Sequence, residues 1–330
     1  MSKTFRLPAD RLNRPRQPAR NPRGRPAIGR RRGSLYGSAM ASIEQRQVTA
    51  NGVDFAYLSS GDGPLALCLH GFPDSAHTWR DLLPALAEAG YHAVAPFMRG
   101  YAPTSVPTDG RYQGGVLAQD AIALHEALGG DDRAVLIGHD HGAVAAHGAA
   151  TAAPERWRRV VTLAVPPGGA MLTSILTNID QLKRFWYMFF FQHPFADTIV
   201  PADDLAFIDR LWADWSPGFD GTADLDLLKP SLRDPANLAA ALGYYRAILS
   251  GIGVDPGLEE LQAATGRMPP QPSLYLHGAD DGCVGVEVAR LAAAEAPDHV
   301  RIEIIDDAGH FLHRERPTVV NERILDHLTA

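Results

Sequence analysis

The chain has 330 residues, of which 45% are hydrophobic and 21% charged, so it can bury a sizeable core as one large domain or a domain with an insertion. Its formal net charge of -7 gives no general basic surface for nucleic acid, and no run approaches the roughly 20 apolar residues of a membrane-spanning helix. The two cysteines, Cys68 and Cys283, cannot form a disulfide framework and indicate a reducing, cytoplasmic compartment.

The first 42 residues differ from the rest in composition. Residues 1–40 hold eleven Lys and Arg side chains against one acid, Asp10, and are rich in Pro and Gly without apolar periodicity. This predicts a disordered, basic Arg/Pro-rich extension over residues 1–42. A polyanion-binding arm, an organelle transit peptide and a twin-arginine signal at residues 30–32 are alternatives, but the segment that follows is too short and mixed for the apolar region of a signal. The favoured interpretation is an overlong start, with Met40 as the natural first residue.

From residue 43 onward, short apolar runs alternate with amphipathic ones, which is the pattern of an α/β protein with a mostly parallel sheet. Eight strands are predicted, at residues 46–49, 53–58, 65–70, 92–96, 134–138, 160–164, 273–277 and 301–305. Helices are predicted at residues 75–89, 113–128, 142–152, 286–296 and 317–328. We therefore expect a doubly wound core made of residues 43–167 and 269–330.

The alternation stops between residues 168 and 268. Helical, aromatic-rich segments are predicted there at residues 182–192, 203–215 and 235–250, with no convincing core strand. A helical block inserted after the sixth strand predicts a cap over the carboxyl edge of the sheet.

A strand-turn-helix motif includes the fifth predicted strand. The motif reads Gly138-His139-Asp140-His141-Gly142, which is the spacing of a nucleophile elbow with an aspartate as the nucleophile. A carboxylate that attacked a carbonyl would form an unstable anhydride, so Asp140 suits attack on saturated carbon with an alkyl-ester intermediate. This predicts an epoxide or an alkyl halide as the substrate.

Two later loops supply partners for this nucleophile. Asp281 follows the seventh strand and His310 follows the eighth, and an acid followed by a histidine is the chain order of this topology. His310 would activate water, while Asp281 would fix its tautomer and stabilise the imidazolium. Asp280 is an alternative acid, although the Gly-x-x-Asp spacing favours Asp281. Each acid alone could be an ordinary loop carboxylate, so the prediction rests on the ordered set.

A turn after the third strand, His70-Gly71-Phe72-Pro73, can aim a backbone N–H at the same site. With the N–H of the residue after the nucleophile, it would form an oxyanion hole. The predicted donors are Phe72 and His141, placed around a carboxyl oxygen of Asp140.

Together these motifs resemble the epoxide hydrolases of the α/β-hydrolase fold, whose neighbours are the haloalkane and fluoroacetate dehalogenases. The resemblance runs from residue 43 to the C-terminus. It implies the α/β-hydrolase fold and two cap tyrosines that act as general acids on the epoxide oxygen, here Tyr187 and Tyr245. A lone tyrosine is more often a packing residue, but both occur in matching contexts. We also expect His70 and Trp186 to contact the substrate, and the aromatic run at residues 189–191 to line an apolar channel.

The predicted activity is hydrolysis of an epoxide to a vicinal diol. The main alternative is a haloalkane or haloacid dehalogenase with the same nucleophile, but the tryptophan or arginine that those enzymes carry after the aspartate is replaced here by His141. A catalytically silent binding protein on the same scaffold is a second alternative, disfavoured by the complete ordered triad.

We expect a small apolar epoxide and water as the partners, and no cofactor, nucleic acid or membrane. The sequence is compatible with a homo-oligomer. Three histidines lie close together in the sequence, at positions 139, 141 and 147, but they lack recognised metal-ligand spacing, so no metal site is expected.

Overall fold

The computed structural model describes residues 42–330, and a single eight-stranded sheet runs through them. The strands are β1 Glu44–Ala50, β2 Val53–Ser60, β3 Leu65–Leu69, β4 His92–Pro96, β5 Val135–His139, β6 Arg159–Leu163, β7 Ser273–Gly278 and β8 Val300–Ile305. Their order across the sheet is β1-β2-β4-β3-β5-β6-β7-β8, with β2 antiparallel to both neighbours and every other pair parallel. The extension predicted over residues 1–42 lies, except for its last residue, outside the described range.

The central strands are buried on both faces. Every residue of β3, with the sequence LALCL, and of β5, with the sequence VLIGH, is buried. Parallel strands covered by helices on both sides have this continuous apolar pattern. β5 pairs with β3 on one side and β6 on the other, so its carboxyl end lies at the middle of the sheet edge. This is the position from which the predicted elbow begins.

Helices cover the sheet and fill the interval between its sixth and seventh strands. They are α1 Leu82–Glu88, α2 Gly114–Ala127, α3 His141–Ala152, α4 Ala170–Thr177, α5 Ile179–Arg184, α6 Trp186–Phe190, α7 Ala196–Ile199, α8 Ala202–Trp215, α9 Thr222–Leu228, α10 Pro235–Ser250, α11 Glu259–Ala264, α12 Val286–Glu295, α13 Leu312–Glu315 and α14 Pro317–Thr329. Helices α4 to α11 form the segment between β6 and β7.

The longest helix of this inserted segment, α10, has clear start and stop signals. Asp234 precedes it and accepts a hydrogen bond from the Ala236 N–H, and Pro235 occupies the first helical position. The helix ends at Gly251, whose φ of 65° is in the left-handed region that glycine favours. The last inserted helix, α11, packs on α2 and α3, so the insertion also rests against the outer helical layer of the core.

The eight-stranded, mostly parallel sheet with flanking helices is confirmed, and two helix predictions need correction. The helix predicted at residues 75–89 is a 3₁₀ turn, Ala76–Trp79, followed by α1. The helix predicted at residues 182–192 is divided at Phe185 into α5 and α6. Aromatic residues have modest helix propensity. In addition, the Gln181 and Arg184 side chains bond to the carbonyl oxygens of Cys283 and Asp281, at 2.9 and 2.8 Å, so tertiary contacts fix the end of α5.

The sheet, its flanking helices and the inserted helices belong to one compact unit. Its core is a continuous cluster of buried side chains on both faces of the sheet. Across residues 42–330, none of the helices combines the length and the apolar character needed to cross a membrane.

Candidate active site

The nucleophile elbow lies between β5 and α3, and Asp140 is its turning residue. Its φ of 53° and ψ of -119° are strained for a residue with a side chain. A Cβ at Gly138 would lie 2.2 Å from the Gly142 carbonyl oxygen, and a Cβ at Gly142 would lie 2.2 Å from that of Leu69. Both glycines are therefore required by close backbone approach, and the turn they permit projects the Asp140 carboxylate from the sheet edge.

One of the two predicted backbone donors bonds to this carboxylate. The Phe72 N–H donates to Asp140 Oδ1 at 2.8 Å. A Cβ at Gly71 would lie 2.3 Å from the same oxygen and 2.7 Å from the His141 backbone nitrogen, so these groups border one small space. Within the described residues, the His141 N–H makes no hydrogen bond to the Asp140 carboxylate, and its role as the second donor stays a prediction.

The predicted acid and histidine are in direct contact. His310 Nδ1 lies 2.9 Å from Asp281 Oδ2, and both side chains are buried. Asp281 Oδ1 accepts the backbone N–H groups of Cys283 and Val284 at 2.7 and 2.8 Å, which fixes the carboxylate. Asp280, the alternative acid, is exposed to solvent. On the opposite side of the ring, His310 Nε2 lies 3.7 Å from Asp140 Oδ2.

These contacts shift the pKa values of the three groups. Burial alone would lower the pKa of His310, but the charges of Asp281 and Asp140, and its hydrogen bond to Asp281, raise it to about 10. Burial alone would raise the pKa of Asp140, yet the neighbouring His141 and His310 hold it below its ordinary value. These shifts favour an imidazolium at His310 between two carboxylates.

Both predicted cap tyrosines lie beside the nucleophile. Tyr187 of α6 and Tyr245 of α10 are buried, with ring centroids 5.4 Å apart. The Tyr187 hydroxyl lies 3.4 Å from Cys283 Sγ, and the Tyr245 hydroxyl has no hydrogen-bond partner among the described residues. Burial raises the pKa of both hydroxyls well above 10, so both remain proton donors at neutral pH.

A cavity of about 180 Å³ joins these groups. The polar residues of its lining are Asp140, His141, Tyr187 and Tyr245, with Cys283 beside them. Most of the remaining wall is apolar and includes Met171, Ile175, Phe185, Met188, Ile248 and Val284. The arrangement suits a small apolar molecule with one polar atom directed at the tyrosines.

The two residues predicted to contact the substrate, His70 and Trp186, lie outside the cavity lining. His70 is fully buried, and its Nε2 accepts the Met98 N–H at 2.9 Å while Nδ1 lies 2.9 Å from the Gly71 carbonyl oxygen. It braces the loop that carries Phe72 and does not line the cavity. Trp186 is 47% exposed and packs on Phe190 and Phe207, because adjacent residues of α6 face different directions and Tyr187 takes the inward one.

His141 lies in the cavity wall. Its ring packs edge-on against Tyr244 and Tyr245, with centroid distances of 5.2 and 4.9 Å. Its Nε2 has no partner among the described residues. Burial lowers the pKa of this histidine, although the charge of the adjacent Asp140 opposes that shift.

Trp215 packs against His310 and Tyr187 and was not predicted from the sequence as a site residue. Its carbonyl oxygen accepts the Gly282 N–H at 2.9 Å and the His310 N–H at 3.0 Å, so α8 holds both loops of the triad. Its ring contacts His310 and Tyr187, at centroid distances of 5.1 and 4.9 Å. The helix predicted at residues 203–215 ends at Trp215, as α8 does. Nothing in the sequence distinguished Trp215 from the other tryptophans as a site residue.

The sheet order, the strained elbow and the triad define an α/β hydrolase. The sequence profile of the alpha/beta hydrolase fold family matches residues 64–317, and the chain belongs to that family. Among individual proteins, it is 31% identical to epoxide hydrolase A of Mycobacterium tuberculosis, over 88% of this chain and 99% of that protein. It is also 31% identical to an epoxide hydrolase of Caballeronia sordidicola, over 86% of this chain and 93% of that protein.

Solved structures of epoxide hydrolases are similar to this chain as well. Epoxide hydrolase A of Mycobacterium thermoresistibile superposes with a TM-score of 0.70 at 28% identity, over 88% of this chain and 99% of that one. An epoxide hydrolase of Bacillus megaterium, solved with an inhibitor, superposes with a TM-score of 0.73 at 26% identity, over 86% of this chain and 100% of that one. The similarity therefore extends through the inserted helices as well as the sheet.

Proposed function

We propose that this protein hydrolyses epoxides to vicinal diols through an ester of Asp140. The observation that carries the proposal is the pair of buried tyrosines, Tyr187 and Tyr245, that lines the same apolar cavity as Asp140. Hydroxyl groups placed opposite a carboxylate suit a reaction in which a C–O bond breaks and the oxygen needs a proton. The names of the related proteins support the same assignment.

In the first half-reaction, Asp140 attacks a ring carbon of the epoxide and the C–O bond to that carbon breaks. The ring oxygen takes a proton from the Tyr187 or Tyr245 hydroxyl and becomes an alcohol, which leaves a tyrosinate. Because His310 holds a positive charge near Asp140, the carboxylate is ionised and ready to attack. The product of this half-reaction is an alkyl ester of Asp140.

In the second half-reaction, water attacks the ester carbonyl carbon of Asp140. Esterification removes one of the two carboxylates that raise the pKa of His310, so its imidazolium can give its proton to the tyrosinate, and the neutral imidazole then accepts a proton from water. The Phe72 N–H stabilises the oxyanion that develops on the carboxyl group. The departing alkoxide takes the proton of the new carboxyl group of Asp140, while His310 keeps the proton from water, which restores the resting enzyme.

The dehalogenase alternative has less support from the cavity. A halide leaves as a stable anion and is bound by N–H donors, whereas the cavity presents two tyrosine hydroxyls, and its described lining contains no tryptophan. Purified protein should hydrolyse an aryl epoxide such as styrene oxide and release no halide from a panel of haloalkanes and haloacetates. The opposite result would favour the dehalogenase.

The ester intermediate is tested by a single turnover in ¹⁸O-labelled water. Because water attacks the carboxyl carbon, the label should enter the peptide that contains Asp140 and be missing from the first-turnover diol. An Asp140→Ala variant should lose turnover while keeping its fold. Label in the first diol, or turnover in the variant, would contradict the mechanism.

We also propose that residues 168–268 form a cap that encloses the substrate. Met171, Ile175, Met188 and Ile248 from this segment line the cavity together with the two tyrosines, which supports that role. A cytoplasmic location is consistent with two free, buried cysteines.

A further inference from the structure

Three buried polar side chains meet behind the nucleophile, outside the substrate cavity. Asp74 follows the Phe72 turn, His139 is the last residue of β5, and His313 belongs to α13. Their exposed fractions are 3%, 0% and 3%. One potential ligand atom from each residue lies within 4.8 Å of the other two.

Each residue of this cluster has one polar side-chain atom without a hydrogen-bond partner among the described residues. Asp74 Oδ2, His139 Nδ1 and His313 Nδ1 have no hydrogen-bond partner among the described residues. Their other polar atoms are in use. Asp74 Oδ1 accepts the Ser75 N–H at 2.7 Å, and His313 Nε2 lies 2.6 Å from Thr78 Oγ1. Unsatisfied polar atoms are rare in folded proteins, and three in one cluster indicate a missing partner.

The tautomer of His139 is fixed by its surroundings. Its Nε2 lies 3.0 Å from the His310 carbonyl oxygen, which can only accept a hydrogen bond, so Nε2 carries the proton and Nδ1 presents a bare lone pair. A histidine that donates to a backbone carbonyl through one nitrogen and offers the other is the usual arrangement of a metal ligand.

We propose that Asp74, His139 and His313 bind one divalent transition-metal ion of the Zn²⁺ class. Two imidazole nitrogens and one carboxylate oxygen are a ligand set that Zn²⁺ and Co²⁺ accept. Asp74, His139 and His313 lie within three residues of Phe72, Asp140 and His310, respectively. A bound ion would therefore hold these three catalytic segments together. The cluster lies outside the cavity lining, which gives the ion a structural role.

His147 provides a matched control for this site. It is also a buried, neutral histidine, and its Nε2 lies 3.2 Å from the Thr162 hydroxyl, as His313 Nε2 faces Thr78. In the part of the chain that the structure describes, His147 belongs to no such metal-ligand cluster. A His147→Gln variant therefore removes a buried histidine without touching the proposed site.

The test uses the full chain without an affinity tag, produced in zinc-supplemented medium and then freed of metal with a chelator. We expect about one zinc per chain before chelation, and one Co²⁺ per chain on titration, with the visible absorption of a low-coordinate cobalt site. The melting temperature should rise with Co²⁺ concentration, because an ion that binds the folded state stabilises it. These readouts do not depend on epoxide hydrolysis.

Asp74→Asn and His313→Gln should each weaken Co²⁺ binding at least tenfold, since even partners one shell away from a metal contribute about 10–100-fold. His147→Gln should bind Co²⁺ as the wild type does. Circular dichroism of the metal-free variants checks that they fold, and the wild-type titration decides the question if they do not. A wild type that retains no zinc and shows neither cobalt absorption nor a thermal shift would overturn the proposal, as would variants that bind like the wild type.

Discussion

At the scale of single residues, Asp140 and His310 shift each other's pKa. His310 Nδ1 contacts Asp281 at 2.9 Å, and Nε2 faces Asp140 at 3.7 Å, so the imidazolium is held by two negative charges. In the proposed reaction, esterification cancels one of them and lowers the pKa of His310 at the moment when a base is needed. The same pair of residues thus favours an ionised nucleophile first and a neutral base second.

An Asp281→Asn variant tests this order of events. Loss of the charge removes support for the correct tautomer and lowers the pKa of His310, so ester hydrolysis should slow by about 10²–10⁴-fold. The ester should accumulate as an added mass on the intact protein after mixing with styrene oxide. Because only neutral His310 accepts a proton, kcat falls as pH is lowered, and this acid limb should lie at lower pH in the variant.

Asp280, the exposed neighbour of Asp281, supplies the control for the Asp281→Asn experiment. Asp280→Asn should leave both kcat and its pH dependence unchanged, since Asp280 lies outside the contact with His310. Wild-type turnover in Asp281→Asn, or slow turnover in Asp280→Asn, would move the acid role to the other residue.

The two cap tyrosines give a second prediction at this scale. Tyr187→Phe and Tyr245→Phe should each lower kcat for an aryl epoxide by about 10²–10⁴-fold, because each removes one proton donor to the ring oxygen. The double variant should lose nearly all turnover. The rate of ester formation in rapid-mixing experiments is the relevant measurement.

Tyr244 is the matched control for these variants. It neighbours Tyr245 on α10, but its hydroxyl donates to the Arg99 carbonyl oxygen at 2.8 Å and does not line the cavity. Tyr244→Phe should keep the rate of ester formation. If all three variants behaved alike, the tyrosines would act through packing and the general-acid assignment would fail.

At the scale of secondary-structure elements, the elbow depends on backbone packing between β5, α3 and the turn after β3. Gly142→Ala would place a Cβ 2.2 Å from the Leu69 carbonyl oxygen, where backbone atoms cannot easily move away. We expect a loss of stability at or above the roughly 1–3 kcal/mol typical of overpacking. Gly169→Ala, which meets nothing within 4 Å, is the control, and denaturant unfolding compares the two. Equal stability of both variants would contradict the close approach.

The sequence predicted the elements that local chemistry determines. β3 and β5 are continuous apolar runs because both faces are buried, so their pattern is visible in the sequence. Asp140, Asp281 and His310 were predictable because each follows a strand in a fixed order. These signals combine residue type with position relative to a strand, and both can be read without coordinates.

Side-chain direction could not be predicted in the same way. Trp186 and Tyr187 are neighbours in the sequence, yet the break at Phe185 sets the register of α6 so that one faces solvent and the other the cavity. The histidines nearest to His139 in the sequence are at positions 141 and 147, whereas its spatial neighbours are Asp74 and His313, which are distant along the chain. Such contacts follow from the packing of elements, which no local pattern encodes.

At the scale of the whole molecule, the interior contains several neutral histidines. Burial lowers the pKa of His70 and His327 to about 4, and that of His139 and His147 to about 3. Their pKa in the unfolded chain is about 6.5. Between these values the unfolded state binds more protons than the folded state, so the free energy of unfolding decreases as pH falls below about 6.5.

His147 allows this dependence to be measured at one site. In His147→Gln, the free energy of unfolding should decrease less steeply on acidification, by up to about 1.4 kcal/mol per pH unit between pH 6.5 and about 3. Urea unfolding at several pH values, compared with the wild type, measures the difference. Parallel curves would mean that His147 is protonated equally in both states.

The two hydrogen bonds to the Trp215 carbonyl oxygen have a consequence for substrate traffic. Since α8 is bonded to the loops of Asp281 and His310, it cannot swing outward without disturbing the triad. Helix α4 is placed differently, because Met171 and Ile175 line the cavity while Leu172 and Leu176 on the same helix face solvent. We therefore expect epoxides to enter and diols to leave past α4, while α8 stays in place.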